Sequence, residues 1–313
     1  PLTGISVPEY SSSLKDEAAK ILHTFISLLT EIRTKLAVFS QLTGETESRH
    51  TRSDLHIATK IIGILQQIPE LTASLLTIPL FSEAIQEYQE AAFHGKKRDR
   101  LKEEIETAFH TEALSVNARR LLMDWNLAST QWFLPRYFGQ RKVKKALELY
   151  ALGKVGKERI RETLQLIISY QEEAGFVGKY ETQLPALFGS YGRAQDWENI
   201  ERIIAAATSL HSAILSYSKD MGKASAFRQS LAGQLSEGIR PFREMHGQSL
   251  GELHRLSEEL AAAEKRISET LGVTTDFLYQ DSADWIQLAL TRTHTWKDHL
   301  DRMKDWYQWL SVR

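Results

Sequence analysis

The sequence predicts an all-α protein, an elongated helical bundle with antiparallel coiled-coil arms. Three observations predict it: apolar residues recur at alternating steps of three and four, no stretch sustains alternation of apolar and polar residues, and helix breakers fall between the periodic segments. Steps of three and four place apolar side chains on one face of a helix. The first long segment carries this pattern at Leu14, Ala18, Ile21, Phe25, Leu28, Ile32, Leu36 and Phe39.

The same period defines the later helices in chain order. It returns in residues 55–65, 81–92, 200–217 and 253–271. Helix breakers separate these segments, and together they predict about nine to eleven helices joined by short loops. The breakers are Gly44, Pro69, Pro79, Pro135, Gly153, Gly175, Gly189, Gly192, Gly238, Pro241 and Gly272.

The longest periodic segments are candidates for the arms. Heptad-like spacing favours antiparallel coiled-coil pairing, and the segments long enough for it are 14–42, 81–110, 198–236 and 250–271. No Ser/Gly-rich linker or low-complexity tract interrupts the chain, so we expect residues 1–313 to form a single helical domain. Within it, 1–112 and 216–313 would supply arms and bundle, and 113–215 a Trp-rich, basic central part.

Composition excludes several classes of function. The net charge is -1 and the isoelectric point is about 7.0, so no global field attracts nucleic acid or an anionic membrane, and any such role must be local. The absence of cysteine removes disulfides, thiol nucleophiles and thiolate zinc sites. The chain shows neither a signal peptide nor an apolar run of the roughly 20 residues that a bilayer requires. We therefore expect a cytoplasmic protein with no membrane partner.

Two short motifs resemble catalytic signatures but lack the context that those signatures need. GQSLG at 247–251 matches a hydrolase nucleophile elbow, which requires a preceding strand, and the residues before it do not form one. We expect Ser249 to cap a helix instead, with Glu252 completing a capping box. GKVGKER at 153–159 resembles a phosphate loop, but Glu158 stands where a hydroxyl must reach Mg²⁺. We expect a solvated loop there, and no catalytic residue in this chain.

The histidines and carboxylates do not follow a metal-binding pattern. Helical metal ligands lie three or four residues apart, whereas His294 and His299 are five apart and no H-E-x-x-H occurs. Carboxylates such as Glu258 and Glu259 lie among lysines and arginines on outer helix faces. We expect no metal site and no cofactor bound to this chain.

A weak internal repeat relates residues 187–207 to residues 277–293. Both run through a short polar loop into Asp-Trp and then a helix. Asp196 and Asp284 would lie in the first helical turn, where the helix dipole favours a carboxylate. The tryptophans that follow them would face the bundle, so the repeat predicts two similar helix starts.

One segment departs from the neutral background. QWFLPRYFGQRKVKK at 131–145 combines four large aromatics with five cations. Residues 132–161 contain nine cations and two acids, a local net charge of +7. Since the whole chain has a net charge of -1, the rest of it carries -8. A local excess of this kind can bind phosphates with release of counterions. The residues that we predict to contact nucleic acid are Arg136, Arg141, Lys142, Lys144, Lys145, Lys157, Arg159, Trp132 and Tyr137.

The same residues also have a structural interpretation. The aromatic residues around Pro135 are Trp125, Trp132, Phe133, Tyr137 and Phe138. For these rings we favour the core of a helix-loop-helix corner covered by Arg and Lys stems, and stacking of Trp132 and Tyr137 on bases, at about 1–3 kcal/mol per base, is the alternative. The cations stay open between a solvated face and contact with nucleic acid or a partner. A second basic cluster, HGKKRDR at 94–100, is expected to be solvated.

Two consecutive stretches share an order of features found in a known family. They are ALSVNARRLLMDWNLASTQWFLPRYFGQRKVKKALELYA (113–151) and RIRETLQLIISYQEEAGFVGKYETQLPALFGSYGRAQDWENIERIIAAATSLHSAIL (159–215). A Trp-rich corner precedes a basic helix, another helix follows, and a Leu/Phe-Gly loop leads into Asp-Trp. This order resembles the helical insertion of large bacterial superfamily-one DNA helicases, which carry a restriction-endonuclease-like domain near their C-terminus. The opening PLTGISVPEYSSSL is similar to the segment that follows the first ATPase motifs in that family.

The resemblance implies a piece of a larger enzyme. No phosphate loop, acidic magnesium motif, arginine finger or nuclease signature can be placed in these residues, so we expect a non-catalytic accessory domain, an insert whose two ends lie on the same side. Its expected partners are DNA and the remainder of the parent helicase, which would hold ATP and Mg²⁺. The alternative is a coiled-coil protein-interaction scaffold with no nucleic-acid role.

Overall fold

A computed structural model describes residues 12–44, 51–271 and 284–311 of the chain. These ranges are mainly helical, with short 3-10 turns at Thr111–Ser115 and Lys157–Arg159 and no β-strand. The predicted fold class, all-α, is confirmed. The helices are α1 Ser12–Thr43, α2 Arg52–Gln67, α3 Ala73–Leu76, α4 Phe81–Glu106, α5 Ala118–Thr130, α6 Phe133–Glu148, α7 Ile160–Val177, α8 Leu184–Ala194, α9 Trp197–Ser218, α10 Met221–Gln234, α11 Ile239–Leu271 and α12 Trp285–Ser311.

One predicted helix is two helices in the structure. The segment 198–236 breaks between α9 and α10, where Lys219 adopts a left-handed backbone conformation with φ 56°. Asp220 then caps α10 by accepting a hydrogen bond from the backbone N of Lys223 at 2.9 Å. Because of this break and the short α3, the described ranges hold twelve α-helices rather than nine to eleven.

The capping box expected at Ser249 is wrong. Helix α11 runs without interruption through Ser249, which lies in its interior. Leu250 and Leu253 are buried three residues apart on one face of α11, so a continuous apolar face outweighs the local capping signal. Glu252 forms an ion pair with Lys35 of α1 instead.

The chain divides into two compact units. Residues 78–205 form one, which we call the central unit, and residues 1–77 with 206–313 form the other, the terminal unit. Helix α9 contributes residues to both. The expectation of one domain over the whole chain, with internal boundaries at 112 and 215, stays a prediction.

In the terminal unit, α1 and α11 pack against each other in opposite directions. Lys35 pairs with Glu252, whereas residues 20–28 of α1 line a cavity with residues 259–266 of α11. Residue numbers therefore rise along one helix as they fall along the other, which is compatible with the predicted antiparallel arm. The buried stripes of the two helices include Phe25, Leu29, Ile32 and Leu36, and Leu253, Leu256, Leu260 and Ile267.

Shorter helices complete the terminal unit around this pair. Helix α2 packs on α11, helices α10 and α12 pack on α1, and α3 packs on α10. Phe39 of α1 meets Tyr217 and Phe227 edge to face, with ring centroids 5.5 and 6.1 Å away. Such aromatic pairs add specific geometry to the apolar contact.

The central unit is built on α4 and α7, which pack along each other. Helix α5 packs on α7, and α6 packs on α5. The ends of α4 and α6 are joined by backbone hydrogen bonds, from His110 N to Tyr150 O at 2.7 Å and from Leu152 N to Ala108 O at 2.9 Å. The core shared by these helices includes Ile105, Trp125, Val143, Leu147, Ile160, Leu164 and Ile167.

Both Asp-Trp pairs begin a helix, as the repeat predicts. The Oδ1 atom of Asp196 accepts a hydrogen bond from Asn199 N at 3.1 Å, and that of Asp284 accepts one from Gln287 N at 3.2 Å. Each aspartate is thus the N-cap, one residue before the predicted first turn. The tryptophans that follow are buried, with exposed fractions of 4% and 1%. Residues 277–283 of the second copy lie outside the described ranges.

The basic cluster at 94–100 is exposed at Lys96, Lys97 and Arg100 and also forms ion pairs, so the expectation of a solvated cluster stays a prediction. His94 and Lys97 of α4 both contact the carboxylate of Glu173 in α7, and Lys96 pairs with a glutamate of α9. Glu173 is only 7% exposed. Burial raises the pKa of its carboxyl group, but hydrogen bonds from Lys97 and His94 outweigh burial and hold the pKa below its ordinary value.

Trp197 packs into space that a glycine leaves open. A Cβ atom at Gly95 would lie 2.2 Å from Cε2 of the Trp197 indole. The indole Nε1 donates a hydrogen bond to Oδ2 of Asp99 at 2.8 Å, and the guanidinium of Arg98 lies 5.5 Å from the ring centroid. The start of α9 is therefore held against α4 by a ring that has no room for any side chain at position 95.

Two expectations concern the whole chain: that its two ends lie on the same side, and that it does not span a membrane. The prediction that both ends lie on the same side concerns residues outside the described ranges. Within the described ranges, no helix combines the length and the apolar character needed to cross a bilayer.

Gly95→Ala is expected to lower the free energy of unfolding by about 1–3 kcal/mol, because the added methyl group overlaps the indole of Trp197. Gly175→Ala in α7 is the matched control, since nothing lies within 4 Å of a Cβ atom at that position. The control should raise stability by up to about 1 kcal/mol through helix propensity. Urea unfolding at equilibrium measures both, and equal effects would contradict the packing argued for Trp197.

Glu173→Gln is expected to lower the free energy of unfolding by about 1.5–3 kcal/mol at neutral pH, because Lys97 and His94 lose an anionic acceptor. The pKa of Glu173 is lowered in the folded state, so its contribution is complete above the ordinary value of 4.5 and is lost as pH falls through the folded-state value. The difference between wild type and variant should therefore shrink below about pH 4.5, as urea unfolding across pH would show.

The neighbouring Glu172→Gln is the control for this experiment. Glu172 is exposed and pairs with Arg119, so its replacement should change stability by less than about 1 kcal/mol. A stability difference between wild type and Glu173→Gln that does not vary with pH would contradict the assignment.

Candidate nucleic-acid interface

Helix α6 carries most of the predicted basic segment, and its packing decides which residues face outward. Gln140, Val143 and Leu147 are buried at steps of three and four along the helix. At Gly139 the contact with α5 is so close that a Cβ atom would lie 2.6 Å from Cβ of Ala128. The other sides of α6 lie outside this close contact.

A cavity of about 440 Å³ lies along one of these sides, between α6, α5 and the start of α7. Residues from α6 reach it at helical spacing: Tyr137, Gln140, Arg141, Lys144, Lys145 and Glu148. Trp125 of α5, Lys157 of the 3-10 turn and Ile160 of α7 complete the lining. Five of the nine predicted contact residues meet at this α6 cavity, namely Tyr137, Arg141, Lys144, Lys145 and Lys157.

The α6 cavity has an excess of positive charge, with four cations and one carboxylate in its lining. The Nζ atom of Lys144 lies 3.5 Å from the carboxylate of Glu148. The guanidinium of Arg141 lies 6.0 Å from the ring centroid of Tyr137 and 3.5 Å from its hydroxyl. Among the residues that the structure describes, neither Lys145 nor Lys157 has a carboxylate within ion-pair distance.

Gln140 adds a polar group to the cavity lining. Its Nε2 donates a hydrogen bond to Oγ of Ser129 at 3.0 Å, and that hydroxyl donates to the backbone O of Trp125 at 2.7 Å. A hydroxyl has a single hydrogen, so Ser129 can only accept from Gln140, and this fixes the orientation of the carboxamide. The remaining Oε1 atom of Gln140 is buried without a hydrogen-bond partner.

The other predicted residues lie elsewhere on the central unit. Arg136 and Lys142 are exposed on α6 outside the cavity lining, and Trp132 precedes the helix. Arg159 lines a second cavity of about 660 Å³ together with Lys154 and two glutamates. The loop predicted at 153–159 is present, and its lysines are exposed. The predicted contact residues thus occupy more than one surface, and their role in binding stays a prediction.

The expectation that the aromatics around Pro135 form core is wrong for four of the five. Only Trp125 is buried. The exposed fractions are 68% for Trp132, 76% for Phe133, 50% for Tyr137 and 63% for Phe138. The buried residues of α6 begin at Gln140, so the first two turns, which carry Phe133, Tyr137 and Phe138, add no aromatic ring to the core.

Gln140 and Glu148 are the polar cavity residues that sequence reasoning missed. Gln140 follows Tyr137 by three residues, and Glu148 follows Lys144 by four, so both share a helix face with a predicted contact residue. This spacing points to Gln140 and Glu148 only once the buried side of α6 is known.

Comparison with models of protein families, with curated proteins and with solved structures gives no match to this chain. Among the described residues, no group of three or more histidines, cysteines, aspartates or glutamates is arranged to hold a metal ion. The α6 cavity offers ammonium and guanidinium groups and a phenolic hydroxyl, which suit the binding of a phosphate-bearing ligand.

Glu148→Gln is expected to strengthen binding of inorganic tripolyphosphate by about 3- to 10-fold, because it frees Lys144 and raises the net charge of the cavity by one. The control Glu198→Gln removes an exposed carboxylate that pairs with Arg202 elsewhere on the central unit, and should alter affinity by less than about 2-fold. Isothermal titration calorimetry at low ionic strength measures both. Unchanged or weaker binding by Glu148→Gln would place the anion outside the cavity.

Proposed function

We propose that the chain is a non-catalytic helical accessory domain, inserted in an ATP-dependent DNA helicase, that contacts the phosphate backbone of DNA through the α6 cavity. The observation that carries the proposal is the convergence of Arg141, Lys144, Lys145 and Lys157 on one cavity with a single carboxylate. In a chain whose net charge is -1, this local excess is the feature that favours an anionic partner.

The cavity cations differ in what they offer a phosphate. Arg141 presents a planar fork that lies beside the Tyr137 ring and can bind two oxygens at once. Lys145 and Lys157 act as point charges on flexible stems, which suits a backbone of variable shape. Lys144 shares its charge with Glu148 and contributes less. Because phosphate contacts position a nucleic acid without reading its bases, binding should be independent of sequence.

The helicase context rests on the resemblance of residues 113–215 to a helicase insertion. In that context ATP and Mg²⁺ bind the ATPase core of the parent protein, and this chain holds DNA or positions a neighbouring domain in the cytoplasm. Its partners are then DNA and the remainder of the helicase. The chain itself performs no bond-breaking step in this proposal.

A protein-interaction scaffold is the second candidate function. The long antiparallel pair of α1 and α11 favours it, since paired helices of this length can present a continuous outer surface to a partner helix. In that case the cations of α6 are incidental to function.

The double variant Lys145→Ala with Lys157→Ala is expected to weaken DNA binding by about 10-fold or more at low salt and to flatten the slope of log affinity against log salt by about 1.5. Both side chains line the α6 cavity, and each would neutralise one phosphate. The control Lys102→Ala with Arg202→Ala removes the same charge from exposed i,i+4 ion pairs elsewhere on the central unit. Fluorescence anisotropy of labelled DNA across a salt series measures affinity and slope.

The control separates local binding from overall charge. If both double variants lose affinity equally, the cavity is not the contact surface. If the intact chain fails to bind single-stranded and duplex DNA even at low salt, the scaffold function replaces the proposal.

A further inference from the structure

The first two turns of α6 expose a cluster of large rings. Trp132, Phe133 and Phe138 are each more than three-fifths exposed, and Tyr137 is half exposed beside Phe138, with ring centroids 5.6 Å apart. Exposed apolar groups of this size in one place mark a contact surface, because soluble proteins otherwise bury them. These rings are therefore surplus to the core of the central unit and need a partner.

Helical spacing connects the rings to the cations. Phe133, Tyr137 and Arg141 follow one another at steps of four, so they share one side of the helix. Phe138, Lys142 and Lys145 form a second exposed row beside it at steps of four and three. Each row runs from rings in the first two turns to positive charges in the next two, so one extended ligand along α6 meets both.

The chemistry of this order selects one kind of ligand. Rings that accept flat apolar faces, followed by cations that accept anions, match a polymer that carries an aromatic face and a phosphate in every repeat. In a duplex the base faces are stacked inside, and only phosphates and groove edges are accessible, so the rings would add nothing to duplex binding. In a single strand the base faces are free to stack on them.

We propose that the first two turns of α6 are a stacking platform for the bases of single-stranded nucleic acid, and that the central unit prefers single strand to duplex because of it. The inference rests on the proposed function, since the cations that hold the backbone are those of the α6 cavity and its neighbours. From Trp132 to Lys145 the helix rises about 20 Å, which limits the footprint to about six stacked nucleotides.

The test compares two aromatic variants on two forms of DNA. Trp132→Ala with Phe138→Ala removes one ring from each end of the platform and leaves every cation in place. The control Leu80→Ala with Phe93→Ala removes exposed apolar side chains from α4 and the residue before it, also in the central unit. The probes are a labelled single strand of about 12 nucleotides, longer than the footprint, and a hairpin duplex of the same length, measured by anisotropy at low salt.

The expected result is a loss of single-strand affinity of about 10-fold or more in the ring variant, with duplex affinity within about 2-fold of wild type and no change in the control. Trp132 supplies an independent readout. Stacking of a base on its exposed indole should quench tryptophan emission on addition of the single strand, and Trp132→Phe should remove that quenching while the other six tryptophans remain.

Failure of this inference can be told apart from failure of the proposed function. Suppose that wild type binds both DNA forms in a salt-dependent manner and that the ring variant binds each form as tightly as wild type does. The stacking platform is then overturned and the phosphate contacts stand, and the exposed rings are assigned to a protein partner. If wild type binds neither form, both proposals fall. Equal losses on single strand and duplex would also overturn the platform, because a stacking surface must discriminate between them.

Discussion

The contact of α6 with α5 is the constraint on which the candidate site depends. Gly139 lies against Ala128 with no room for a Cβ atom, and Val143 and Leu147 are buried in the shared core. A helix held by one face can turn no other face inward, so this contact leaves the cavity residues and the rings of the first two turns outside the core. A ring moved into the core would have to rotate α6 and expose Val143.

The two basic clusters of the central unit show how the same residue types acquire different roles. In the cluster at 94–100, His94, Lys96 and Lys97 meet carboxylates from α7 and α9, and the buried Glu173 contacts two of them. In the α6 cavity one carboxylate faces four cations. The first arrangement satisfies its own charge and contributes to stability, whereas the second leaves charge for a partner. The carboxylates that neighbouring helices place beside each basic cluster therefore decide which of the two clusters can bind an anion.

Sequence periodicity predicts those parts of the fold in which the apolar spacing repeats over many residues. The all-α class, the extent of α1 and the helix starts at Asp196 and Asp284 follow from repeated apolar spacing and cap residues over many positions. Shorter signals fail where they compete with longer ones. The capping pattern at Ser249 lies within the period of α11, and the period places a continuous helix there.

The candidate site is only partly predictable for a related reason. The local excess of positive charge identifies the cations of the site, because it can be counted without knowing which way each side chain faces. For the same reason it cannot separate the cavity cations from Arg159, which lines a second cavity. The aromatic residues are predicted to be buried because large apolar rings are core residues in most proteins. In α6 the buried positions are Gln140, Val143 and Leu147 instead, and the rings are exposed. Acid partners from distant segments, such as Glu173 for Lys97, are set by tertiary packing that spacing along one helix does not contain.

Core packing and the proposed ligand binding share residues at the α6 cavity, and this sharing shapes how the site would bind. Trp125 and Ile160 belong to the hydrophobic core and also line the cavity, so the floor is held by the fold. Arg141 lies beside Tyr137, which would reduce the entropy that the guanidinium loses when a ligand binds. Lys145 and Lys157 project from this frame on flexible stems. A rigid floor with mobile charges would fix where a backbone lies while tolerating its local shape, as the proposed phosphate contacts require.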